Sequence, residues 1–283
     1  MPGLRKGLAS RTLVSAALAL FLCSCAGVPS PRPAVPGEDP VSKAQAYLIA
    51  RGFELSPQAA LVLDYPRRRF GLAWADPVIA EARRRAGDPR FEGEYGIFRR
   101  MIDPSGAELL RSSITETIER YKVIPTTRAL LTSIYCDWIS LDPAYLSFLA
   151  DEKPGLRLWH VSALLALGYL EANGCLRPAD HLALKDMLAR SAKAFIEAGM
   201  WSGESSRAEV ASTIGAFYLG VGRERADGTW VDFLRETQDV DGSWASEGDS
   251  IDDRDFAAVW GLFALLESEG GSALAVPLIP PGD

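Results

Sequence analysis

Three eight-residue stretches decide the fold: Ala163-Leu-Leu-Ala-Leu-Gly-Tyr-Leu170, Ser212-Thr-Ile-Gly-Ala-Phe-Tyr-Leu219 and Ala258-Val-Trp-Gly-Leu-Phe-Ala-Leu265. They begin 49 and 46 residues apart, a spacing that suits one helical hairpin per repeat. Ala129-Leu-Leu-Thr-Ser-Ile-Tyr135 is an earlier, weaker copy. The segments around them, 160–171, 208–221 and 256–266, are apolar nearly all round, so such helices must be buried on most sides. The segments between are amphipathic. Residues 179–198 mix Leu184, Leu188 and Phe195 with Lys185, Asp186, Arg190 and Lys193, and 228–238 place Trp230, Phe233, Leu234 and Thr237 at i, i+3, i+4 and i+7. No convincing period-2 alternation occurs after Val41. The pattern predicts an all-α domain in which buried inner helices alternate with half-wet outer ones, as in a double-layered ring or arc. The repeats are clearest over 125–270, while 41–122 is helical in pattern without a clear copy.

Composition agrees with a folded chain. Of 283 residues, 48% are hydrophobic and 24% charged, which fits one large or two small globular domains and excludes a disordered or multi-span protein. The net charge is −7. Without residues 1–24, which carry Arg5, Lys6 and Arg11 and no acid, it stands at −10. That balance disfavours a DNA-tracking protein, and no nucleic-acid partner is expected.

Arg5, Lys6 and Arg11 precede the apolar run Leu13–Leu22, a basic region followed by a core of signal-peptide length, too short to span a bilayer comfortably. Leu22-Cys23-Ser24-Cys25-Ala26-Gly27 then resembles the lipobox of bacterial lipoproteins, with Cys23 standing where Ala, Ser, Thr or Val is commoner. The resemblance implies cleavage before Cys25, acylation of that residue, and a chain held at the bacterial cell envelope. Two or three acyl chains give stable anchoring. Ala26 after the Cys resembles outer-membrane sorting in didermal bacteria, facing the periplasm or the surface. An ordinary secretory signal cut at a nearby small residue is the alternative. Residues 29–40 carry five prolines and read as part of a tether over 25–40, ahead of a domain over 41–270 and a C-terminal tail over 271–283. In polyproline II form the sixteen tether residues would span on the order of 50 Å.

Near the last repeat the chain reads Phe233-Leu-Arg-Glu-Thr-Gln238-Asp-Val-Asp-Gly242-Ser-Trp244. This resembles the QW motif of squalene and oxidosqualene cyclases, whose α/α-toroid fold is shared with protein prenyltransferase β subunits. In physical terms, Gln238 can bond free backbone groups at a helix end, Gly242 can supply a left-handed turn, and Trp244 can plug between consecutive hairpins. Ala198-Gly199-Met200-Trp201 keeps Gly-x-Trp and lacks the Gln. The resemblance covers about half the chain and implies a single α/α toroid. It does not carry activity across. The cyclase acid needs Asp-x-Asp-Asp, whereas the nearest string is Asp249-Ser-Ile-Asp252-Asp253-Arg254-Asp255. Arg254-Asp255-Phe256 matches part of the prenyltransferase zinc pattern, but no His follows and no Asp-x-Cys precedes it. Neither a metal nor a cofactor is expected.

Turns ending in Arg128, His160, Arg207 and Arg254 precede the inner helices. The polar groups there, Arg128, His160, Arg207, Glu209, Asp252, Asp253 and Arg254, are the candidates to line a central cavity. Glu204 and Glu247 each follow a repeat Trp by three residues, and with Asp255 they are alternative carboxylates for acid/base work. Residues 236–255 carry eight acids against Arg254 alone; Asp239-Val-Asp241-Gly242 places its Gly fourth, not sixth as a calcium loop requires, so this stretch reads as a solvated turn. With Cys25 lipidated, Cys136 and Cys175 remain in an oxidising compartment, where a disulfide and two buried thiols are both open. The expected function is a lipid-anchored protein whose domain binds a ligand or protein partner without cyclase chemistry. The alternative is an enzyme on a polysaccharide or isoprenoid.

Overall fold

The structure is a computed structural model that describes residues 39–153, 155–203, 205–270 and 273–282. Cys25, Glu204 and the signal and tether readings up to residue 38 lie outside the described residues. Among these residues the regular elements are helices, with no strand.

The apolar repeats form α8 (Trp159–Ala172), α10 (Arg207–Gly220) and α12 (Ile251–Glu269), and the weaker copy forms α6 (Pro125–Ile134). Each packs against the next, α6 on α8, α8 on α10 and α10 on α12. Every residue from Val161 to Leu170 is buried, as the all-round apolar pattern of α8 requires. Glycines set how closely these helices approach. A Cβ on Gly220 would strike the backbone of Leu164, and one on Gly215 the backbone of Trp260. The amphipathic segments form α9 (Pro178–Ser202), which packs on α8 and α10, and α11 (Gly228–Thr237), which packs on α12 and α10.

The N-terminal part supplies partners that the repeat pattern does not reveal. Helices α1 (Pro40–Arg51) and α2 (Pro57–Phe70) both pack against α12, and α3 (Asp76–Ala86) packs on α2. A 3-10 segment, Gly96–Met101, touches both α2 and α6. Three shorter helices, α4 (Pro104–Ala107), α5 (Ile114–Tyr121) and α7 (Ala144–Ala150), flank this region, α5 lying against α6 and α7 against α9. Where α2, α8, α10 and α12 face one another, Leu61, Met101, Leu165, Leu219, Trp260 and Leu278 fill the space and leave about 10 Å³. Leu278 arrives from the C-terminal tail. Arg68 donates to the carbonyls of Pro277 (2.7 Å) and Leu278 (3.0 Å), and Leu274 N–H donates to Arg69 O (2.7 Å), so the tail is strapped across α2.

Candidate functional site

The starts of α8, α10 and α12 are bound into one polar network. Ser206 caps α10 through the Glu209 N–H (3.1 Å), and Ser250 and Asp253 form a reciprocal capping box on α12. The Glu209 carboxylate accepts from Leu158 N–H (2.9 Å), which holds Leu158 at φ 59°, the left-handed region that L side chains avoid. Arg157 reaches Asp249 (3.1 Å) and Asp253 (3.4 Å). Arg207 donates its N–H to Ser246 Oγ (2.9 Å) and its guanidinium to Thr237 O (2.8 Å) and Asp239 (3.0 Å). Arg207, Glu209 and Asp253 therefore work at fastening successive turns together.

The remaining candidates stand apart from that network. His160 stacks on Phe195 with ring centroids 4.6 Å apart, and its Nε2 lies 3.1 Å from Ser191 Oγ. Burial lowers its pKa below the ordinary histidine value, and Glu152 opposes that shift. The Ser191 hydroxyl also lies 3.0 Å from a Glu152 carboxylate oxygen, so one hydroxyl joins the imidazole to an acid. Asp252 is exposed, and Arg254 is half-buried with no side-chain bond among the described residues. Arg128 lies on the flank, its guanidinium carbon 4.4 Å from the centroid of the Phe148 ring. The structure thus does not gather the seven candidates around one central cavity. Apolar side chains occupy that space, because Leu, Met and Trp from four helices and the tail converge there.

The alternative carboxylates are likewise separated. Glu247 is exposed. Asp255 is fully buried and accepts from Tyr47 Oη (2.8 Å), Arg51 Nε (2.8 Å), Arg51 Nη2 (3.1 Å) and Ser56 N–H (3.0 Å), which occupies both of its oxygens. A second buried acid, Asp64, which the sequence reading passed over, is held by Arg67 (3.0 Å) and Arg68 (2.7 Å). The spacing of Asp64 to Arg67 and Arg68, three and four residues on one helix, was the available signal.

Gln238 Nε2 donates to Pro40 O (2.9 Å) and Gly242 O (3.1 Å), tying the α11–α12 turn to the start of α1. Gly242 has φ 93°, and a Cβ there would collide with the Lys43 carbonyl. Trp244 is fully buried, donates to Leu234 O (2.8 Å) and lies against Gly261. The half-motif behaves differently. Gly199 and Trp201 both fall inside α9, which runs on to Ser202, and Trp201 is 82% exposed, so it plugs nothing.

Cys136 and Cys175 form a disulfide with Cα atoms 6.2 Å apart. The sequence pattern carries the Arg128 helix on to Trp138. Instead α6 stops at Ile134, because the Asn173 amide donates to the carbonyls of Ser133 and Ile134 (3.1 Å each) and so caps the helix end. Among the described residues no cluster of three His, Cys, Asp or Glu could hold a metal ion, and no helix is long and apolar enough to cross a membrane.

Among the described residues, two surface concavities stand out. One, of about 470 Å³, lies at the C-terminal ends of α2, α10 and α12, where Arg69 and Glu267 pair with each other. The other, of about 650 Å³, lies between α5, α6 and residues 139–145, and Arg128 lines it. No protein-family model matches the chain, and neither a curated protein nor a solved structure matches it.

Proposed function

We propose that this chain is a lipid-anchored bacterial envelope protein whose helical domain, an incomplete α/α toroid, serves as a non-catalytic binding module. The toroid reading is supported by the succession of inner helices α6, α8, α10 and α12, by the outer positions of α9 and α11, and by the Gln238, Gly242 and Trp244 contacts. The lipid anchor rests on the Leu22–Gly27 string. One observation carries the non-catalytic part: where α2, α8, α10 and α12 face one another, the space left is only about 10 Å³. A cyclase-like or glycosidase-like reaction needs a cavity that admits substrate and an acid free to exchange a proton. Both fully buried carboxylates are instead committed to arginines.

Native mass spectrometry of the protein released from membranes tests the binding reading. A co-purifying small molecule or protein partner is expected, and substrate turnover that Asp253→Asn abolishes would overturn it. Metabolic labelling with a fatty-acid analogue tests the anchor. Label lost in Cys25→Ser is expected, and label retained there refutes it.

A further inference from the structure

The flank cavity between α5, α6 and residues 139–145 is built for a ligand of definite chemistry, and we propose that it binds a small amphiphilic organic anion. This deepens the binding-module reading and rests on it. At about 650 Å³ the cavity falls in the size range of small-molecule sites.

Its lining carries two acids, Glu119 and Asp142, and two bases, Lys122 and Arg128, and of the two bases Arg128 is the one without an ion-pair partner among the described residues. Lys122 pairs with Glu119 (2.5 Å), and Asp142 accepts the Ala144 N–H (2.9 Å). Arg128 has no carboxylate within ion-pair distance among the described residues, and its contact with Phe148 supplies no oxygen acceptor. A guanidinium fork of this kind matches a carboxylate. One helical turn further along α6, Thr132 also lines the cavity. It is only 7% exposed, and its hydroxyl makes no hydrogen bond among the described residues. The hydroxyl itself opens to the cavity, and a ligand oxygen beside Arg128 would replace water on it.

Beside the polar Thr115 and Ser140, the wall also offers apolar surface. Ile118 comes from α5 and Ile139 from the segment opposite, and the buried Tyr145 directs its hydroxyl to the Ala129 carbonyl. What Tyr145 offers the cavity is therefore its ring. An acid group against Arg128 and Thr132, with a hydrocarbon portion along Ile118, Ile139 and Tyr145, uses the unpaired cation, the open hydroxyl and the apolar surface of the site.

The test compares octanoate with octan-1-ol, which share chain length and differ in charge, by calorimetric titration of the complete chain bearing Cys25→Ser. Octanoate is expected to bind at least about tenfold more tightly than octanol. Arg128→Gln is expected to bring octanoate down to the octanol level, and Thr132→Val to weaken octanoate alone by about threefold. Thermal unfolding followed by circular dichroism checks that each variant folds. Should Arg128→Gln not fold, the probe pair and Thr132→Val decide the matter. Equal affinity for the two probes, no uptake of either, or octanoate binding untouched in a folded Arg128→Gln variant overturns the proposal. Those results would leave the binding-module reading standing, since ligand retention and turnover test it separately.

Discussion

Tyr47 and Asp255, 208 positions apart in sequence, meet in a buried 2.8 Å hydrogen bond that joins the first helix of the domain to the last. Burial, and then the adjacent Asp255 carboxylate, raise the Tyr47 pKa far above the ordinary tyrosine value, so the phenol remains the donor. With Arg51 and the Ser56 N–H on the same carboxylate, this contact fixes α1 and the start of α2 against α12.

Removing Asp255 should therefore damage folding. Asp255→Ala strands a half-buried Arg51 and a buried phenol, and breaking such a pair costs about 3–5 kcal/mol. Tyr47→Phe keeps the ion pair and should cost about 1–2 kcal/mol. Urea unfolding of both variants measures the difference; an Asp255→Ala protein as stable as wild type would contradict the structural role.

Trp244 offers a second check on the turn between α11 and α12. Trp244→Ala should lose about 3–5 kcal/mol through the cavity beside Gly261 and the orphaned Leu234 carbonyl, whereas exposed Trp201→Ala should change stability by less than about 0.5 kcal/mol. Equal melting temperatures for the two variants would remove the distinction between motif and half-motif.

Reduction of the Cys136–Cys175 bridge frees a loop spanned by 39 residues. A loss of about 2–4 kcal/mol is expected on adding reductant. Thiol counting on unreduced, denatured protein should find neither cysteine reactive, and two reactive thiols would show that the bridge does not form.

His160 predicts a direction of pH dependence. Its folded pKa is depressed by burial, so below the unfolded value of about 6.5 the unfolded chain takes up the proton first. The stability it contributes is complete above that pH and is lost as pH falls through the lower folded value. Melting curves of wild type and His160→Gln between about pH 8 and about pH 5 should diverge, with wild type losing more on acidification. Parallel curves would refute a neutral, half-buried imidazole.

Helix identity was legible in the letters because an apolar face, or an apolar circumference, imposes a period that survives without any knowledge of partners. The burial of α8, α10 and α12 around most of their circumference, the one-sided burial of α9 and α11, and the turn at Gly242 all follow from local composition and spacing. The inner packing of α2 was not legible, since its short Ala59–Leu63 run carries no repeat signature and gains its place only from α12 and Asp255. Nor was the filling between α2, α8, α10 and α12: Met101, Trp260 and Leu278 come from three distant parts of the chain, and only their convergence decides whether these helices enclose a pocket or a core. The same holds for the flank site. Arg128 stood out as a charge opening a helix, but Thr132, Ile118 and Ile139 are unremarkable residues that become a wall only when α5 and residues 139–145 are folded against α6. Periodicity is a property of neighbours along the chain and is written into it, whereas a cavity is what distant segments leave between them, and that is settled by packing.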